Sequence, residues 1–120
     1  MITTAGCSIR KVQGVQIIDL VGTITLGDGT EMVRNTIRDL IAKGETKILL
    51  NLAKVDFLDS SGIATLVNSY TYGREHGAHV KLLHLKANIH DLLQITKLNT
   101  LFDIFEDEAK AVASFQDKAK

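Results

Sequence analysis

The run Lys47-Ile48-Leu49-Leu50-Asn51-Leu52 limits the possible folds more than any other stretch of the chain. It is nearly continuous in apolar side chains yet too short for a helix of its own, so it predicts a strand covered on both faces in the middle of a sheet. Before it, Val33, Ile37, Leu40 and Ile41 fall at helical spacing between Glu31 and Lys43. Arg34, Arg38, Asp39 and Lys43 lie between them, and Gly44 acts as a stop. After it, Ser60 or Ser61 opens a second helix with the apolar stripe Ile63, Leu66, Val67 and Tyr70, ending between Gly73 and Gly77. Helices on either side of a buried strand predict an α/β domain.

The flanks extend this pattern. Cys7 to Val12 and Val15 to Val21 are β-branched runs separated by Gln13-Gly14, which predicts an opening hairpin, and Thr23 to Leu26 extends its second strand. Gly27-Asp28-Gly29-Thr30 reads as a turn ending in Thr30 as helix N-cap. His79 to Leu85 predicts a further strand, and Ile89, Leu92, Leu93 and Thr96 a short third helix. Leu101 to Phe105 is ambiguous between forms. Asp107 to Phe115, acidic at its start, predicts a terminal helix. The expected architecture is a mixed sheet, antiparallel at the N-terminal hairpin and parallel beyond, with about four helices.

Composition narrows the functional classes. At 120 residues the chain fits one domain, 1–120, and 45% hydrophobic with 23% charged residues excludes a disordered tail. Fourteen Lys and Arg balance fourteen Asp and Glu, so no net field draws it to nucleic acid or anionic lipid. With no proline and only six aromatic residues, the chain argues against proline-rich ligand segments and base-stacking platforms. A lone Cys7 forms no internal disulfide and suits a reducing cytosol. No apolar stretch approaches the roughly 18 residues of a spanning helix, and MITTAGCSIRKV has no long apolar segment of the secretory kind. The expectation is a cytoplasmic protein without membrane insertion.

The segment Val55-Asp56-Phe57-Leu58-Asp59-Ser60-Ser61-Gly62-Ile63-Ala64 joins the buried strand to the second helix, where α/β sheets collect function. Read plainly, Asp59, Ser60 and Ser61 cap a helix and Gly62 permits close packing. Read functionally, a hydroxyl at the mouth of that helix is open to modification. The segment lacks a Gly-x-Ser-x-Gly elbow, and none of the four histidines has the context of a base, which argues against a serine hydrolase. A receiver domain needs clustered carboxylates, and only Asp19 is present at its first strand. His76-x-x-His79 is interrupted by Gly77 and reads as a solvated helix end rather than a metal site. Gly27 to Thr30 lacks the lysine of a P-loop, and Lys81, Lys86 and Lys97 read as scattered solvated positions.

The string Asp59-Ser60-Ser61-Gly62-Ile63-Ala64 after a hydrophobic strand resembles the phosphorylation loop of STAS domains, specifically of bacterial anti-sigma factor antagonists. Ile17 to Leu26 is similar to that family's opening strands, and Leu101 to Phe105 with Glu108-Ala109 to its closing strand and helix. The resemblance implies a noncatalytic regulator with no cofactor of its own. Unmodified, it would bind an anti-sigma factor that is a serine kinase and so free a sigma factor. Phosphorylation of Ser60 would end that complex, and a metal-dependent serine phosphatase would restore it. As the alternative, the resemblance also admits a phosphate-independent STAS scaffold, or a subunit of a signalling or lipid-transport assembly. Ala64 stands where many antagonists have glycine.

The partner-binding candidates are the loop residues Asp56, Asp59, Ser61, Gly62 and Ile63, and Thr65, Asn68, Ser69 and Tyr72 on the second helix. Tyr70 and Tyr72 are two residues apart and lie on different sides of that helix, which makes Tyr72 the interface candidate.

Overall fold

The computed structural model describes residues 5–116. Two strands, β1 (Gly6–Val12) and β2 (Val15–Ile24), pair antiparallel, with Val12 opposite Val15. Gln13 and Gly14, at φ 49° and 83°, both occupy the left-handed region, as the tightest hairpin turn requires. The remaining elements alternate: α1 (Asp28–Ala42), β3 (Lys47–Leu58), α2 (Ser60–Glu75), β4 (His79–Leu83), α3 (Ala87–Ile95), β5 (Ile104–Phe105) and α4 (Glu108–Ser114). The sheet runs β1-β2-β3-β4-β5, parallel from β2 onward, with β3 at its centre.

The period-2 alternation of the strands sorts their side chains between two layers. Ile18, Leu20, Ile48, Leu50 and Leu52 enter the larger core with Val33 and Ile37 of α1, Leu66 of α2 and Leu93 of α3. Val15, Ile17, Leu49 and Leu83 face the other way, onto Ala111, Val112 and Phe115 from α4 and the turn that ends it. The expected double coverage of β3 is therefore present over its first half. Further along the α4 side of the sheet, Asp19 and Asn51 replace apolar residues. There Asn51 Nδ2 donates to Asp19 Oδ1 at 2.8 Å.

Several boundaries differ from the sequence expectation for local reasons. Residues 28–30 form the first turn of α1 rather than a loop. The bend falls at Gly27, whose φ of 107° only glycine adopts readily. Thr30 is thus not the N-cap; it is buried, and its hydroxyl donates to Gly27 O at 3.1 Å. β3 continues past Leu52 to Leu58, its register against β2 shifting between Asp19 and Val21 and again between Gly22 and Thr23. β4 stops at Leu83 rather than Leu85, because His84 turns the chain at φ 57°. Lys81 is not solvated. Its side chain is 14% exposed, lies over the rings of Phe105 and Phe115, and donates to Ser114 Oγ at 3.0 Å.

Candidate functional site

The end of β2 is the floor on which the site is built. Two helix N-termini approach Ile24, each through a glycine. A Cβ on Gly29 would lie 3.1 Å from Ile24 Cα, and one on Gly62 would lie 2.2 Å from Ile24 O. Gly62 is therefore buried packing, not a surface for a partner, which corrects its assignment to the contact set. The close approach lets one side chain reach across both loops. Asp59, the N-cap of α2, accepts from Gly62 N on Oδ1 at 2.7 Å and from Leu26 N on Oδ2 at 3.0 Å. These bonds, Leu26 first and Gly62 second, hold the Asp59 carboxyl below the usual carboxylate range.

Ser60 is the first residue of α2 and is exposed; its hydroxyl has no hydrogen-bond partner among the described residues. Ser61 is half-buried, and its carbonyl accepts from Thr65 Oγ1 at 2.8 Å. Two apolar side chains stand out beside this loop in the chain. Leu26, whose N–H Asp59 holds, is 78% exposed, and Phe57, two residues before Asp59, is 51% exposed. Sequence reasoning missed both as site residues. No sequence signal marked either: by period 2 Phe57 falls on the same face as the buried Val55.

Asp56 is exposed but not free: Lys86 Nζ pairs with its Oδ1, and Asn88 Nδ2 donates to its backbone carbonyl at 3.1 Å. Lys86 is accordingly an ion-pair partner rather than an isolated cation. Along α2 the expected contact face divides. Asn68 is exposed, whereas Thr65 and Ser69 are only 6% and 5% exposed in the seam with α1, so neither is a ready surface contact. Ile63 packs half-buried against the main core. Tyr70 meets Phe102 edge-on, as its stripe position predicts. Tyr72 is half-buried, stacked on His76 at 4.0 Å with the Arg38 guanidinium 4.7 Å from its ring centroid, so its face is already covered.

Among the described residues, no group of three or more His, Cys, Asp or Glu side chains is placed to hold a metal ion. No helix among them is long and apolar enough to cross a membrane.

Residues 7–111 match the family model described as STAS domain. The chain is 25% identical over 105 residues to the anti-sigma F factor antagonist of Paenibacillus polymyxa, covering 87% of this chain and 89% of that one. In fold it is similar to an anti-sigma factor antagonist from Mycobacterium paratuberculosis, with TM-score 0.80 at 16% identity over 95% and 96% of the two chains. It is also similar to the Bacillus cell fate determinant SpoIIAA in its phosphorylated form, with TM-score 0.72 at 19% identity over 92% and 100%.

Proposed function

The chain belongs to the STAS domain family, and on that premise we propose that it is an anti-sigma factor antagonist whose binding is switched by phosphorylation of Ser60. The observation that carries this reading is the Ser60 hydroxyl itself, exposed and unpartnered among the described residues at the start of α2. Asp59 ties that start to the preceding loop through hydrogen bonds to Leu26 N and Gly62 N.

In the unmodified state, a kinase of the anti-sigma type would cover the loop together with the exposed Leu26 and Phe57 side chains, releasing its sigma factor. The phosphoryl step is the kinase's own chemistry. Ser60 Oγ attacks the γ-phosphorus of ATP, ADP leaves, and a base on the kinase takes the hydroxyl proton. A metal-dependent phosphatase would return the serine by hydrolysis, releasing inorganic phosphate. The antagonist supplies a positioned hydroxyl and no catalytic group or cofactor.

Phosphorylation adds about two negative charges. The first turn of α2 tolerates them, because its amide N–H groups and dipole favour an anion. Asp59, adjacent in sequence, carries the same sign as the phosphate, while Lys86 already pairs Asp56. The modification would therefore leave the fold intact and act on approach. A partner surface fitted to an unmodified Ser60 and two apolar side chains would have to desolvate a further dianion. Incubating the chain with a candidate anti-sigma serine kinase and ATP, then locating phosphate by mass spectrometry with Ser60→Ala as control, tests this. Phosphate on Ser60 supports it. No incorporation leaves the loop a helix cap in a phosphate-independent scaffold.

A further inference from the structure

The seam between α1 and α2 opens into a cavity of about 80 Å³ lined by Arg34, Ile37, Arg38, Thr65, Asn68, Ser69 and Tyr72. Its contents are unusual for a helix seam. Arg34 and Arg38 are four residues apart on one face of α1, an arrangement in which like charges repel. Neither forms a salt bridge with an acidic side chain among the described residues; Arg38 instead rests on the Tyr72 ring. Opposite them, Ser69 is 5% exposed and lines the cavity, and its hydroxyl has no hydrogen-bond partner among the described residues. The Asn68 side-chain amide is likewise unpaired among them. Two arginines, an asparagine and a serine whose hydroxyl stays open to the cavity thus line one small space, side chains of the donor types an oxyanion requires.

Size decides the class of ligand. A cavity of about 80 Å³ holds several water-sized groups. That is far below the roughly 300 Å³ at which drug-sized ligands begin, so a nucleotide would not fit within it. We propose that the α1–α2 pocket binds a small oxyanion, a phosphate or carboxylate group, between Arg34 and Arg38 with Ser69 and Asn68 donating from the other wall. The anion removes the repulsion between the two arginines and satisfies the Ser69 hydroxyl. Asn68 lies seven residues beyond Ser61, about 10 Å along the helix, and the pocket meets the Ser60 loop through Thr65, whose hydroxyl donates to Ser61 O at 2.8 Å, so the pocket borders that loop without containing Ser60.

The test is an NMR titration of the ¹⁵N-labelled full chain with inorganic phosphate, with acetate and chloride as further arms at matched ionic strength. Saturating shifts at the Asn68 side-chain amide, the Ser69 N–H and the Arg34 and Arg38 Nε–H groups, with phosphate or acetate but not chloride, support the proposal. The arm that saturates identifies the tetrahedral or planar group. Arg38→Gln should weaken that binding about tenfold, and Arg38→Lys, which keeps charge but loses the fork, by less. Because Arg38 is exposed, both variants should remain folded, which the amide spectrum itself reports. Shifts that stay linear with every anion, that centre on Ser60 and Ser61, or that are unchanged in Arg38→Gln overturn it.

Discussion

Asp59 Oδ2 lies 3.0 Å from Leu26 N, tying the loop that follows β2 to the first turn of α2 across 33 positions of sequence. The other oxygen of the same carboxylate caps α2 through Gly62 N, so one side chain fixes both edges of the candidate site. Asparagine offers a single carbonyl oxygen and remains a good N-cap. Asp59→Asn should therefore keep the Gly62 bond and release Leu26. Hydrogen exchange at individual amides checks this: the Leu26 N–H should exchange faster, while Gly62 stays protected. Equal acceleration at both would contradict the division of labour.

Gly62→Ala should destabilise the protein severely, because the added Cβ would meet Ile24 O at 2.2 Å, and neither backbone can yield without moving α2 off β2. Overpacking of this kind costs about 1–3 kcal/mol or more. For a domain near this size that lowers Tm by at least about 4 °C. Gly44→Ala meets no atom within 4 Å and suffers only its φ of 88°. Thermal melts of the pair should place Gly62→Ala well below Gly44→Ala.

Acid should weaken the fold through a second carboxylate pair. Arg10 donates Nε to Asp19 Oδ2 at 2.7 Å and Nη2 to Glu108 Oε1 at 2.6 Å, fastening the β1–β2 hairpin to α4. Its hydrogen bonds lower the pKa of both acids and raise that of Arg10. With folded values depressed, the unfolded chain binds more protons below about pH 4–5, so this stability is present above the unfolded values and is lost as pH falls through the folded ones. All three side chains are partly exposed, so solvent screening holds each pair to about 1 kcal/mol or less. Arg10→Met should flatten the acid limb of a urea-denaturation profile between about pH 5 and 3. An unchanged slope would show that the clamp contributes nothing.

Lys81→Ala should cost more than a surface lysine normally does, since its stem covers Phe105 and Phe115 and its ammonium holds Ser114. Lost cation–π contact and stem packing together amount to about 1 kcal/mol. Denaturation midpoints of this variant and of Lys97→Ala, at an exposed position, provide the comparison.

Lys81 also marks where sequence reading stops. Period and turn chemistry made the hairpin, the central strand and the helices legible, because Ile48, Leu49 and Leu50 are buried for reasons that span a few neighbours. They did not reveal the Asp56–Lys86 pair, the Asp59–Leu26 bond or the cover over Lys81. Each joins residues more than 20 positions apart, brought together only by the parallel crossovers. The loop Asp59-Ser60-Ser61-Gly62 was legible as a site, whereas the split of α2 into exposed Asn68 and buried Thr65 and Ser69 was not. Polar residues at these positions carry no sign of the helix that covers them.

The central claim is that a phosphate on Ser60 decides whether the partner binds. Calorimetric titration of a kinase that phosphorylates Ser60 with unmodified chain, with chain phosphorylated at Ser60 and with Ser60→Ala measures it directly. The account predicts tight binding of the unmodified and alanine forms and at least about tenfold weaker binding of the phosphorylated one, a difference of about 1.4 kcal/mol or more. Equal affinity of the phosphorylated and unmodified forms would contradict it.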